Sequence, residues 1–163
     1  GNQITAERLT CLSRIINHSS TGEGVLTVVT TMDGIADRLI PVERFKEAVI
    51  TLDYSSEIEP EKLAKKLVAM GFVRTGMVED KGQFAIRGGI IDIFSYTDEA
   101  PVRIELWDTE VDSIRMFDVE SQRSIERLQS YSIFPATEYI FTEDELKNGL
   151  YNIKEECDRQ LEC

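Results

Sequence analysis

Histidine, cysteine and long apolar runs are all scarce in this 163-residue chain, and each scarcity removes a class of function. The single histidine, His18, lies in a Ser-rich stretch that reads as a solvated turn, with no second imidazole to share catalysis or a metal. Three cysteines, Cys11, Cys157 and Cys163, are too few and too scattered for a disulfide framework or a zinc site, so they read as ordinary thiols. No apolar run approaches the about 20 residues that cross a bilayer. Residues 1–7 carry no basic segment followed by an apolar one, so no secretory signal is expected and a cytoplasmic location is the default. A phosphate loop is missing too. Gly22 and Gly24 lack the Lys-Ser/Thr pair that would complete one, and Gly82, Gly88 and Gly89 read as β-turns.

Basic residues are also in the minority. Eighteen Lys and Arg against 30 Asp and Glu give a formal charge of −12, which repels a phosphate backbone, so no direct DNA binding is expected of this chain. Asp98-Glu99-Ala100-Pro101 superficially matches a helicase metal box, but it precedes a strand and has no phosphate loop upstream. Glu105, Asp108, Glu110 and Asp112 form an acidic group that a small metal-dependent hydrolase would need. A solvated hairpin end accounts for them better, because Glu105 and Asp108 straddle a turn and no histidine joins them.

What is present is an ordinary globular composition, 42% hydrophobic, with two kinds of periodicity. Helical spacing of Leu9, Leu12 and Ile16 predicts a helix over 4–16. A β-branched run, Val25 to Thr30, reads as a buried strand of a parallel sheet, followed by a short helix from Met32 to Leu39 that Pro41 ends. Such a unit cannot cover both faces of a sheet, so residues 1–47 read as the tail of an α/β domain. Ala48 to Leu52 reads as a strand. Pro60 opens a helix that Gly71 closes, with Leu63, Leu67 and Met70 buried and Ala64 and Val68 beside them.

From Val73 the period changes to two. Gly88-Gly89 suits a two-residue hairpin turn that pairs Ile86 with Ile91 and Phe84 with Ile93. Strands follow over 102–107 and 111–117, with a last one at Tyr131 to Phe134 after a connecting stretch. Thr142 and Glu145 form a capping box for an amphipathic helix striped by Leu146, Leu150, Ile153, Cys157 and Leu161. That stripe needs a cover, which this domain, a neighbour or a second copy could supply. The fold class is therefore α+β: a mixed or antiparallel sheet domain with helices over 48–137, preceded by a partial α/β unit and followed by an amphipathic helix over 138–163.

Alternation also marks one surface. Burying Val102, Ile104 and Leu106 turns Arg103, Glu105 and Trp107 to the other face, and burying Phe84 and Ile86 turns Arg87 the same way. Arg and Trp are favoured at interface hot spots, so Arg87, Arg103 and Trp107 read as a docking surface. The alternatives are a covering helix over Trp107, or Arg103 paired with Glu105 or Glu110.

The run Gly82-Gln83-Phe84-Ala85-Ile86-Arg87-Gly88-Gly89-Ile90-Ile91-Asp92-Ile93-Phe94 resembles the hallmark stretch of the second domain shared by UvrB and the transcription-repair coupling factors of the Mfd family. Val102 to Trp107, Glu110 to Arg115, Phe117-Asp118 and Ser121-Gln122-Arg123 continue the resemblance in order. Ala6-Glu7-Arg8-Leu9 and Val28-Val29-Thr30-Thr31 are similar to the end of the first UvrB-like domain, so about residues 4 to 140 are covered. Glu120 to Ser124 and the short link from Val29 through Phe45 resemble Mfd more than UvrB. A stretch of UvrB, which would carry a long DNA-gripping hairpin in its first domain and a phosphate loop before Gly1, is the alternative.

The resemblance implies a UvrB domain 2-like fold over 48–137, a degenerate UvrB-like remnant over 1–47, and a helix over 138–163 leading into a next domain. It implies a non-catalytic module without a cofactor, belonging to a parent that is an ATP- and Mg-dependent DNA translocase acting on RNA polymerase stalled at lesions. It further implies that the module recruits UvrA through two arginines and an aromatic at Arg87, Arg103 and Trp107. That face would be masked at rest by the parent's own C-terminal domain.

Overall fold

The computed structural model describes residues 2–22, 24–36, 41–138 and 143–161. Helix α1 spans Asn2–Thr21, beyond the expected stop, so His18 lies in its last turn and not in a loop. Val25 to Thr30 forms no strand, contrary to the sequence reading. Val25 and Val29 are 95% and 91% exposed. β-Branched residues favour a strand only where a neighbour completes the ladder and covers a face, and no strand lies beside this segment among the described residues. Helix α2 spans Met32–Ala36, and residues 37–40 of the expected helix lie outside the described residues. Pro41 also stands at the start of another helix. It is the N-cap of a helix the sequence reading missed, α3 at Val42–Ala48, where proline's lack of an amide hydrogen costs nothing.

Strand β1, Ile50–Asp53, leads into α4, Pro60–Ala69, which opens on its proline and ends at Gly71 with φ +90°. Leu63, Ala64, Leu67 and Met70 are buried, but Val68 is exposed at the edge of the stripe. Strand β2 is only Val73–Arg74. The hairpin β3, Gln83–Arg87, and β4, Ile90–Phe94, has the expected register, with Ile86 opposite Ile91 and Phe84 opposite Ile93. Its turn needs both glycines. Gly88 sits at φ +60°, and a Cβ on Gly89 would come within 2.8 Å of the Leu106 carbonyl oxygen.

Strands β5, Val102–Trp107, β6, Glu110–Phe117, and β7, Ser124–Arg127, complete a mixed six-stranded sheet in the order β2-β3-β4-β5-β6-β7, with β2 parallel to β3 and the other pairs antiparallel. Strand β7 falls in what reads from sequence as connecting chain. The last strand, β8 at Ser130–Ile133, does not extend this meander; it pairs antiparallel with β1 as a separate two-stranded sheet.

One core holds these parts together. Leu63, Leu67 and Met70 of the α4 region join Phe84, Ile91, Ile93, Val102, Ile104 and Ile114 from one face of the large sheet, with Leu52, Tyr131 and Ile133 from the small one. A second cluster, Leu9, Ile16, Phe45 and Phe134, fixes α1 and α3 to the end of β8, helped by an Arg8–Glu138 ion pair at 2.6 Å. Helix α5, Glu143–Leu161, is tied to α3 by Arg44 and Glu145. Its Leu150, Ile153 and Cys157 are exposed, while Thr142 and the side chains of Leu146 and Leu161 lie outside the described residues. Cys11 and Cys157 are free thiols, and Cys163 is outside the described residues. Among the described residues, no helix is long and apolar enough to cross a membrane.

Asp98, from the segment that mimics a helicase box, has a structural task. Its Oδ2 accepts a hydrogen bond from the buried Tyr131 hydroxyl at 2.5 Å, joining the β4–β5 loop to β8. Burial pushes the Asp98 carboxyl above its ordinary range and, together with the nearby Asp98 charge, pushes the Tyr131 phenol well above 10.0. A raised phenol leaves stability intact below the ordinary tyrosine value and withdraws it above. Tyr131→Phe strands a partly buried carboxylate oxygen and is expected to destabilise the chain by about 1–3 kcal/mol at neutral pH. In urea unfolding on either side of pH 10.0, wild type should lose stability more steeply than the variant as the pH rises.

Candidate functional site

On the face of the large sheet away from α4, cross-strand pairing sets side chains in rows. Ala85, Asp92, Arg103 and Arg115 form one row, and Arg87, Ile90, Glu105 and Ser113 form the next. Trp107 pairs with Glu110 at the rim. Between Glu105 and Leu106 the register shifts, because Glu105 faces Ser113 while Leu106 faces Val111, leaving Asp112 as the extra residue of a bulge. The bulge keeps Leu106 and Val111 on the core side and Trp107 on the other. Asp108, at φ 58°, then turns the chain in a conformation that aspartate tolerates better than most residues.

The three residues singled out by alternation do lie on this face, but their environments differ. Trp107 is 79% exposed, so no helix among the described residues covers it. The Arg87 side chain is 42% exposed, and that of Arg103 only 15%. Sequence reasoning offered Glu105 or Glu110 as partners for Arg103; the partner is Asp92. Asp92 Oδ1 accepts from Arg103 Nε at 2.7 Å, and Oδ2 accepts from Arg103 Nη2 at 2.8 Å and from Arg87 Nη2 at 2.6 Å. Arg103 Nη2 also donates to Gln122 Oε1 at 2.9 Å, and its Cζ stands 4.3 Å above the centre of the Phe117 ring. The fork fits a carboxylate bidentately, and the ring covers the cation's flat side. Hydrogen bonding to Asp92 raises the guanidinium's already high affinity for its proton.

Asp92 was legible but was passed over. In Ile91-Asp92-Ile93 the alternation that buries both isoleucines sends Asp92 to the face of Arg103, and β5 lies directly beside β4. Beyond it the face is partly roofed by Val78 and Val119, packed on Ala85 and Phe94, so open surface is concentrated toward Arg87 and Trp107.

The acidic group considered for metal-dependent chemistry does not converge. Glu105 accepts from Ser113 Oγ at 2.9 Å and is bound by Arg115, while Asp108 and Asp112 belong to the turn and the bulge. Among the described residues, no group of three or more His, Cys, Asp or Glu side chains could hold a metal ion.

Residues 50–139, which carry the whole face, match the UvrB interaction domain family. The chain belongs to that family. It is 44% identical over 151 residues to the transcription-repair-coupling factor of Bacillus subtilis (strain 168), covering 93% of this chain and 12% of that protein. With the protein of the same name from Staphylococcus aureus (strain MRSA252) it shares 38% over 166 residues, covering 98% and 14%. The corresponding protein of Staphylococcus haemolyticus (strain JCSC1435) is 40% identical over 146 residues, covering 90% and 12%. This member of the UvrB interaction domain family thus spans between 12% and 14% of the length of these relatives.

Exposure separates the roles of Arg103 and Trp107 in stability. Arg103→Ala takes two of the three donors from the buried Asp92 carboxylate and leaves only Arg87, and is expected to cost about 3 kcal/mol in urea unfolding. Trp107→Ala is expected to stay within about 0.5 kcal/mol of wild type in the same measurement.

Proposed function

We propose that this chain is the UvrA-docking module of a transcription-repair coupling factor and recruits UvrA to RNA polymerase stalled at DNA lesions. The observation that carries the reading is the indole of Trp107, free of any cover on a sheet face that also presents the Arg87 guanidinium. An aromatic anchor flanked by a cation suits a partner offering an apolar pocket beside a carboxylate. The family to which residues 50–139 belong and the names of the relatives support the same assignment.

In this reading the module is not itself catalytic and needs no cofactor. ATP-driven translocation on DNA and contact with RNA polymerase belong to other parts of the parent protein. Residues 48–137 form the docking domain, residues 1–47 belong to a degenerate UvrB-like domain, and 138–163 lead into the next one. The parent's C-terminal domain covers the docking face at rest, so recruitment is switched by its removal. Arg87 and Trp107 make the outermost contacts. Arg103 contributes from a more enclosed position.

Immobilised UvrA titrated with the 163-residue chain and its variants provides the test. Arg87→Ala and Trp107→Ala are each expected to weaken capture by about 2 kcal/mol, some thirtyfold in Kd, with Trp107→Ala unfolding near wild type and Arg87→Ala, which takes one donor from the buried Asp92, still folded but less stable by about 1–3 kcal/mol. Capture unaltered in both folded variants would refute the assignment.

A further inference from the structure

We propose that Asp92 is a positioning residue of this rim, setting both guanidinium groups before the partner arrives; the inference rests on the docking reading above. Asp92 is 1% exposed, so it cannot itself meet a partner. Its two oxygens nevertheless accept three N–H bonds, two from Arg103 and one from Arg87. A buried carboxylate so bound fixes the plane of Arg103 by a bidentate fork, while Phe117 below and Gln122 beside close off other orientations.

The same carboxylate holds Arg87 by a single strong bond. Arg87 stands just before the Gly88-Gly89 turn, and among the described residues its only other side-chain hydrogen bond is Nη1 to the Gly76 carbonyl at 3.5 Å, the outer limit of a hydrogen bond. Its side chain is 42% exposed, and among the described residues its Nε meets no acceptor. Arg87 therefore keeps donors for an incoming carboxylate while its direction is already set. Arg87, Arg103 and Asp92 together carry a single net positive charge, and the neighbouring Glu105 is neutralised by Arg115, inside a chain of formal charge −12. An acidic partner is thus met by a local, oriented cation, and less side-chain freedom remains to be lost on docking.

A carboxylate that merely neutralised the arginines would act in the opposite direction. Asp92→Asn removes a negative charge, which speeds long-range approach of an acidic partner. Loss of positioning instead shortens the lifetime of the complex, because misdirected donors no longer hold it. A partly unfolded population is distinguishable from either, since it lowers the competent fraction and apparent affinity without altering dissociation from molecules that remain folded.

The experiment follows association and dissociation of the Asp92→Asn chain on purified UvrA. Dissociation about tenfold faster than wild type, with association equal or faster, is expected. An unchanged dissociation rate overturns the proposal. If Trp107→Ala loses capture in the same assay while Asp92→Asn dissociates as wild type, Asp92 is not the positioning residue and the docking face stands. If both behave as wild type, the docking reading falls with it.

Should Asp92→Asn fail to fold, 15N relaxation of the arginine Nε–H groups in the free wild-type chain decides the matter. An Arg103 order parameter near the about 0.85 of rigid backbone supports positioning, and one below about 0.6 overturns it.

Discussion

A carboxylate removed from water is the constraint around which the polar face of the large sheet is arranged. Stripping an ion of its hydration costs several kcal/mol, and the cost is offset only if strong donors replace the lost water on both oxygens. Asp92 receives them from two strands: Arg103 from β5 and Arg87 from the far side of the β3–β4 turn. The tight Gly88-Gly89 turn brings the second of these within reach, and the close approach of Leu106 to Gly89 locks that turn against β5. Removing any one part would leave a charge or a strand edge unsatisfied, so the network is specific as well as expensive.

The same face shows how one surface serves packing and exposure together. Phe117 sits beneath the Arg103 guanidinium, Val78 and Val119 roof Ala85 and Phe94, and only toward the hairpin ends does the covering stop. There the register shift at Asp112 precedes the final Trp107–Glu110 pair, whose indole stands in water. An exposed tryptophan next to a rigid charged network is a different object from one on a mobile loop, because little order has to be created when something covers it.

Much of this could be read from residue order, and the failures have physical causes. The β3–β4 hairpin was legible because a glycine pair and a period-two pattern agree with each other. The outward turn of Arg87, Arg103 and Trp107 followed from alternation alone. Their unequal burial did not, since it depends on Asp92, Phe117 and Gln122, which come from three other parts of the chain. Helix α3 and strand β7 were missed because each is short; α3 buries only Phe45 and β7 buries nothing, so neither shows a period. Val25 to Thr30 failed in the other direction. Its β-branched residues state a preference that only a neighbouring strand could satisfy.

The meander also sorts the molecule into two poles. The Gly88-Gly89 and Asp108-Thr109 turns share one end of the large sheet, while the β4–β5 loop lies at the other, where Thr10 of α1 reaches the Tyr96 carbonyl and Phe45 stacks on Phe134. About one strand length, some 17–20 Å, separates the poles. Load applied at the indole pole must cross a stiff hydrogen-bonded ladder before it reaches the helices, so the sheet acts as a strut that passes the load on as displacement of the whole body and not as a local rearrangement.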